Sequence, residues 1–442
     1  MARSLNARNR STSRQLIALA RRWMSSKTTV MSFGDGSQGA LGLAATPMGL
    51  GLDAYEPTPI TGLPTDVCGI AAGHYHSLAV TSQGRVWAWG RNSESQLGRA
   101  YFSSRETWSK PQNVEGLNQV RVVAAFASGV VSAAIGDEGT LWVWGKSKRG
   151  QLGLGKGFVE AVLPSRVEAL LGHEIVKVSL GWGHALALTK DGKLFGWGYC
   201  ADGRLGKIGR CLEVSPLDSI VGKVKPSTGD NSSLRIEAAE QLILEAIEKE
   251  KEDPIIWEPT LVEELCNFEV VDVACGHDHS LVLCSNGTLL SGGSNVYGQL
   301  GRVKDDLGFH AVDMSLRPMS IASGLGHSLA ICKNMSSEYE QSVVTWGWNQ
   351  SSQLGRGGQG NSPMIVDGLH GEVAISVCGG RVHSVALTEK GEVWSWGCGR
   401  NGRLGLGSSL DEDEPTMLIP GLVGYEVLQL VAGFDHNLIL VG

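Results

Sequence analysis

The sequence predicts an all-β fold: a seven-bladed β-propeller whose ring is closed by pairing half-repeats from the N- and C-terminal ends, interrupted by one helical insertion. Three observations predict it. Two linked half-motifs recur in phase along the 442 residues, the strands they delimit are apolar on both faces, and the termini carry complementary fragments of one repeat.

The first half-motif is G-x-x-H followed by a short apolar strand, at residues 73–76, 181–184, 276–279, 324–327, 380–383 and 433–436. A seventh copy, residues 128–131, has lost both glycine and histidine. The second half-motif is an apolar strand followed by a loop ending in [QR]-L-G. It closes at Gly98, Gly153, Gly206, Gly301, Gly355 and Gly405, with a relaxed copy closing at Gly42. Successive copies lie 48–56 residues apart, except for one interval of 95.

In the first complete copy, SLAVT (residues 77–81) runs to a turn at 82–84 and RVWAW (85–89) returns. Strand alternation puts Trp87 and Trp89 on one face and Val86 and Ala88 on the other, so both faces are apolar. A strand pair buried on both sides suits a blade packed between blades and does not suit a sandwich with one wet face. The aromatic positions recur as Trp142 and Trp144, Phe195 and Trp197, Trp346, and Trp394 and Trp396; the fourth full copy departs, with Leu290 and Gly292. Outer strands are signalled by x-Pro-x-x-[VIL] at 110–114, 163–167, 258–262 and 362–366, because proline lacks a donor and is tolerated at a sheet edge. Four strands per blade follow. Residues 29–42 supply only the second half of a repeat and residues 431–442 only the first, so the propeller spans 27–442 and the two ends complete one blade, leaving no open sheet edge.

Residues 1–26 differ from the rest. They carry Arg3, Arg8, Arg10, Arg14, Arg21 and Arg22, many serines and no acidic residue, and Leu16, Ile17, Leu19, Ala20 and Trp23 can share one side of a helix. This is the composition of a mitochondrial or chloroplast transit peptide, and the RRWMSS end is similar to a mitochondrial processing site, so the mature chain is expected in the mitochondrial matrix. Without those six arginines, 38 − 6 = 32 basic residues face 45 acidic ones, a net charge of −13. So acidic a body is a poor nonspecific nucleic-acid binder, and any RNA contact must be local. The best local candidate is the basic turn KSKRGQLGLGK, with Lys146, Lys148, Arg149 and Lys156. No apolar run approaches the roughly 18 residues of a membrane-spanning helix.

The 95-residue interval holds an insertion, residues 207–258. Its middle reads as an acidic amphipathic helix capped near Ser232 or Ser233, with Ile236, Ala239, Ile243 and Ile247 along one stripe. That stripe is a candidate docking helix for a protein partner, the alternative being a solvated surface helix packed on its own blade.

Chemistry-like motifs dissolve into the repeat. G-x-G-x-x-G at 34–39 and 397–402 falls at post-strand turns with no amphipathic helix to receive a pyrophosphate, and 150–157 places Gly157 where a P-loop needs Ser or Thr. The repeated histidines, His76, His184, His279, His327, His383 and His436, occupy one phase of the repeat, one per blade. That is the pattern of a structural imidazole bridging turn and strand; catalysis would need one histidine with particular neighbours, and ligands from different blades are too dispersed for one tetrahedral ion. His74 and His277 are off-phase and expected to be exposed. The nine cysteines contain no C-x-x-C pair and read as buried free thiols in a reducing compartment. No nucleophile and base constellation is present, so the expectation is a non-enzyme without cofactor, metal or small-molecule substrate.

G-x-x-H-S/A-L-A-L and W-G-x-N-x-x-x-Q-L-G, in seven linked copies, resemble the regulator of chromosome condensation (RCC) repeat family over residues 29–442 outside the insertion, and its plant mitochondrial members most of all. The resemblance implies mitochondrial proteins and RNA-processing complexes as partners, with roles in intron splicing and in respiratory complex I biogenesis. The family's nuclear exchange factor engages its GTPase through the G-x-x-H turns. By position this implies Asp278 in GHDH and Asp435 in GFDH as candidate contacts for an organellar GTPase. Trp182 in GWGHA is similar to the family's UV-sensing motif, but the segment lacks the arginine and occurs once. The expected function is therefore a non-catalytic interaction scaffold, with guanine-nucleotide exchange as the alternative.

Overall fold

A computed structural model describes residues 27–44, 51–100, 108–208, 254–303, 306–334, 341–419 and 421–442. They form seven four-stranded antiparallel sheets arranged as the blades of a propeller. In the first blade the strands run outward from the axis as Val67–Ala72, His76–Thr81, Val86–Gly90 and Gln112–Asn113. The innermost strand of each blade precedes its G-x-x-H turn, and together these strands surround an axial cavity of about 460 Å³.

The seventh blade is built from both chain ends. Thr29–Gly34 pairs antiparallel with His436–Val441, in register from Thr29 opposite Val441 to Gly34 opposite His436. Ala54–Pro59 forms its outer strand and Val427–Ala432 its inner one, which leaves no blade half-built.

Repeat residues join each blade to the next. His76 lies 2.8 Å from the Ser132 hydroxyl of the following blade, and the same relation links His184 to Ser280, His279 to Ser328, His327 to Ser384 and His436 to Ser77. His383 uses the Asn437 Oδ1 instead, at 3.0 Å. The strand that each imidazole Nε2 reaches from its turn belongs to the neighbouring blade. Ser77, Ser132, Ser328 and Ser384 each donate their hydroxyl proton to a backbone carbonyl, of Ala40, Gln96, Gln299 and Gln353. Each of these serines can therefore only accept from Nε2, which places a proton on the Nε2 of His436, His76, His279 and His327, and burial keeps those rings neutral. The leading glycine of G-x-x-H is demanded by the same ring, since a Cβ at Gly73 or Gly324 would sit within 2.4 Å of the imidazole.

The same carbonyls accept a second bond from the following blade. Trp89, Trp144, Trp346 and Trp396 donate their indole N–H to Ala40, Gln96, Gln299 and Gln353 at 2.8–2.9 Å, and Trp197 donates to Gln151 at 2.7 Å. All five indoles are fully buried. The fourth full repeat, with Gly292 in the tryptophan position, fills the gap from elsewhere: Phe309 packs against Gly206, as the tryptophans pack against the equivalent glycines. Phe33 does so against Gly405 in the closing blade.

The joint between the second and third blades lacks the histidine tie on both sides. Val131 stands in the histidine position and Ala185 in the serine position. Here Gln151 substitutes, donating its side-chain amide to the Gly181 and His184 carbonyls at 2.6 and 3.1 Å.

Two expectations need adjustment, and two fall on residues outside those described. Ile255–Leu261 is the outer strand of the third blade, so the insertion placed at 207–258 ends before residue 255; pairing with Phe195–Tyr199 outweighs the boundary drawn from proline position. Ile236, Ala239, Ile243 and Ile247, like residues 1–26, lie outside the described residues. The cysteines are not uniformly buried free thiols. Cys200 is disulfide-bonded, which sequence spacing cannot exclude because bridging depends on spatial approach, and Cys68 and Cys266 are exposed. Among the described residues no helix is long and apolar enough to cross a membrane, and no cluster of His, Cys, Asp and Glu could hold a metal ion.

Candidate interaction face

The G-x-x-H turns converge at one end of the axis, where backbone amides of adjacent blades form a nearly continuous ring. His74 N–H donates to Gly129 O, Trp182 to His277, His277 to Leu325, Leu325 to Gly380, Arg381 to Phe434, and Phe434 to Gly73. On this paired backbone the second turn residues His74, Trp182, His277, Leu325 and Phe434 line the axial cavity. His74 stacks between Phe434 (4.2 Å between centroids) and Trp182 (5.0 Å), and Trp182 stacks in turn on His277 at 5.2 Å. Gly129, without a side chain, leaves the room that the Trp182 indole covers. His74 is consequently half-buried, not exposed, and burial together with the neighbouring His277 pushes its pKa down to about 3. His277 is also partly covered and holds the Asp278 carboxylate through Nδ1 at 2.5 Å.

The two candidate GTPase contacts sit on this face, each within an ion-pair network. Asp278 is bound by Arg204 at 2.6 Å, and Arg204, almost wholly buried, also binds Asp202 at 2.9 Å and lies 4.8 Å over the Tyr199 ring. Burial would raise the Asp278 pKa, but the His277 hydrogen bond and the Arg204 charge together hold it far below the usual carboxylate range. Asp435 is held by Arg381 at 3.0 Å and Arg403 at 3.1 Å. There burial prevails over both arginines and raises the pKa. Asp278 is about one-third exposed and Asp435 less, so both carboxylates are already engaged within the chain.

The basic turn of the second blade is only partly free. Lys146 pairs with Glu160 at 3.2 Å, and Arg149 lies 4.8 Å over Tyr199. Lys148 and Lys156 are exposed, Lys156 lying further along the loop, beyond Gly155.

Sequence reasoning missed two stacking shelves at the same face. Arg149 of the second blade stacks on Tyr199 of the third, and Tyr297 of the fourth on Trp348 of the fifth at 5.4 Å. Each pair sits over a glycine in the third turn position: a Cβ at Gly183 would meet Arg149 at 2.7 Å, and one at Gly326 would meet Tyr297 and Trp348 at 3.3 Å. The signal was present as glycine where other turns carry Tyr75, Val382 or an aspartate. Trp182 and Tyr297 remain 39% and 50% exposed, so the face presents aromatic rings on a rigid backing.

The pattern that builds this face matches the RCC1-like domain over residues 29–439. The chain belongs to that family. It is similar to the ultraviolet-B receptor UVR8 of Arabidopsis thaliana, 28% identical over 399 residues that cover 88% of this chain and 77% of the receptor. It is also similar to the mouse secretion-regulating guanine nucleotide exchange factor, 29% identical over 323 residues, 70% of this chain and 62% of that one. Other relatives are far longer: the chain covers only 7% of the human E3 ubiquitin-protein ligase HERC2, at 29% identity. Among solved structures, Saccharomyces cerevisiae Prp20p superposes with a TM-score of 0.72 at 21% identity, covering 94% of this chain and 92% of that one, a likeness of fold alone. RCC1-like propellers serve in protein interaction and guanine-nucleotide exchange.

Proposed function

We propose that this RCC1-like propeller is a non-catalytic scaffold of the mitochondrial matrix that assembles partners in organellar RNA processing, intron splicing included, and thereby supports respiratory complex I biogenesis. The observation that carries the interaction reading is the turn face: half-exposed Trp182 and Tyr297 and arginine-stacked rings held on a backbone whose amides are already paired across blades. Aromatic and arginine side chains on a preorganised surface are the groups that dominate binding energy when buried by a partner. The arginine-rich residues 1–26 support the matrix assignment, and the exposed Lys148 near Arg149, with Lys156 further along the same loop, supplies a local phosphate contact on an otherwise acidic body.

The test is affinity purification from mitochondria with and without ribonuclease. Ribonuclease-sensitive recovery of intron-containing transcripts, lost on Trp182→Ala with Arg149→Ala, supports the reading; recovery of no RNA-processing partner rejects it. The likeness to an exchange factor favours a second reading, exchange on an organellar GTPase, with Asp278 and Asp435 on the contacted face. Such a protein works by binding the nucleotide-free GTPase better than the loaded one. Accelerated nucleotide release from a matrix GTPase would establish it. Because both carboxylates are engaged by arginines, that GTPase would have to displace Arg204 or Arg381, or read the ion pairs intact.

A further inference from the structure

The opposite end of the propeller carries a feature that the turn face does not use. All seven innermost strands slip register at the same place, so that one extra residue sits near the strand start; in the first blade Val67 opposes Thr81 and Gly69 opposes Val80, leaving Cys68 unpaired. The extra residue of a β-bulge is turned out of the ladder. In the next five blades it is Val123, Val176, Val271, Met319 and Ile375, and every one is 46–56% exposed. The inner strands of adjacent blades pack on one another, so these residues form an annulus around the axis. Leu171, Phe268 and Tyr425, on the loops entering three of these strands, add exposed apolar surface at the same end.

Single exposed apolar residues are ordinary, and β-branched residues suit strands, but neither fact explains a large apolar side chain at one exposed repeat position in five successive blades. The rim around the annulus is formed by the hairpin turns between second and third strands, which hydrogen-bond to the residues leading into the inner strands, such as Ser82 to Asp66 and Asp137 to Arg121. Its lysines are largely neutralised in place: Lys190 by Glu174, Lys193 by Asp191 and Lys390 by Glu372. Asp66, Asp137, Glu138, Glu269, Glu389 and Glu426 remain outside those pairs, against Arg85, Arg121, Arg317 and Lys333, so the rim is acidic on balance.

We propose that this end of the propeller is a second docking surface, taking a basic amphipathic helix of a protein partner. Its apolar stripe lies on the annulus and its lysines and arginines meet the acidic rim, the groove-binding mode in which apolar anchors give affinity and charge gives orientation. The surface is independent of the turn face and does not rest on the RNA-processing reading.

The probe is a fluorescent helical peptide of about 18 residues of leucine and lysine at amphipathic spacing, with a leucine and glutamate counterpart, titrated into the full chain and followed by anisotropy. The lysine peptide is expected to bind and the glutamate peptide not. Val123→Lys with Ile375→Lys, both exposed and so compatible with folding, weakens binding by about tenfold or more, while Trp182→Ala on the opposite face leaves it unchanged. A bimane label on Cys68, in a Cys266→Ser background, responds to the lysine peptide. Equal binding by the double lysine variant, equal binding of the glutamate peptide, or loss of binding on Trp182→Ala would each overturn the proposal. So would sedimentation with neutral phosphatidylcholine vesicles that the double variant abolishes, which would make the annulus a membrane face.

Discussion

His436 Nε2 lies 2.9 Å from the Ser77 hydroxyl, and that hydroxyl donates to the Ala40 carbonyl at 2.8 Å, so one serine of the first blade grips both ends of the chain. Ser77→Ala removes the acceptor of a buried imidazole N–H and a donor to Ala40. The expected loss is about 1–3 kcal/mol of unfolding free energy, the cost of leaving a buried polar group unpaired, read from urea melts. Deleting residues 431–442 goes further, removing the whole strand that pairs with Thr29–Gly34 and the last two residues of the inner strand Val427–Ala432. The single cooperative melt should then collapse, and an undiminished transition in the truncation would refute closure by the chain ends.

Much of this architecture is legible because the repeat is dictated by packing. Trp89 and its counterparts announce the buried third strand, and the G-x-x-H glycine and histidine are locked together by contact. The innermost strands were not singled out, because residues such as VCGIAA in the first blade carry neither the glycine turn nor the tryptophan that marks the second and third strands. The histidine partner was not legible for a different reason. Hydrogen bonds between blades join residues about 50 positions apart, as His76 and Ser132 are with a separation of 56, and no local pattern points across that gap. Phe309 shows the same limit: it replaces a tryptophan in space without occupying its place in the repeat.

That replacement is testable. Phe309 is 7% exposed and packs on Gly206, so Phe309→Ala should cost about 3–5 kcal/mol. Phe309→Leu should cost less. If thermal and urea melts of the alanine variant match those of the parent, the ring does not stand in for the missing indole.

Acid should unfold the ring through its histidines. Burial drives His76, His327 and His383 down to about 3 and His279 and His436 to about 4, and His184 well below its ordinary value. Each stays neutral in the folded chain while its unfolded counterpart, with a pKa of about 6.5, takes up a proton. Stability is therefore intact above about pH 6.5 and is lost as pH falls toward 4, by up to about 1.4 kcal/mol per pH unit for each histidine. Unfolding at pH 5 should take up close to one proton per repeat histidine. A urea midpoint that does not move between pH 7.5 and pH 5 would contradict the assignment of neutral, Nε2-protonated rings.

Arg204 offers a sharper electrostatic test. Its side chain is 2% exposed and serves Asp202 and Asp278 together. Arg204→Met leaves those carboxylates without their cation, and an expected loss of about 3–5 kcal/mol follows from breaking one side of a buried pair. Lysine should rescue poorly, because its single ammonium cannot reproduce the planar fork or the stacking over Tyr199. Unfolding free energies of the two variants within experimental error of the parent would show that the network is incidental to the fold.

The joint between the second and third blades can be rebuilt, and the order of substitution matters. Val131→His alone buries an imidazole N–H opposite Ala185, where no hydroxyl accepts it, and pushes the ring into Ser128, which stands where every other histidine-bearing turn has glycine. That single change should destabilise by about 1–3 kcal/mol. Adding Ser128→Gly relieves the steric conflict and Ala185→Ser supplies the acceptor, together with a donor to the Gln151 carbonyl already used by Trp197. The triple variant should recover the loss and gain up to about 1 kcal/mol over the parent, the net worth of an additional buried hydrogen bond. The coupling between positions 131 and 185, read from a double-mutant cycle in the Ser128→Gly background, should be favourable. Additive single effects would mean that the seventh joint tolerates no histidine tie and that Gln151 has taken over its place in the ring.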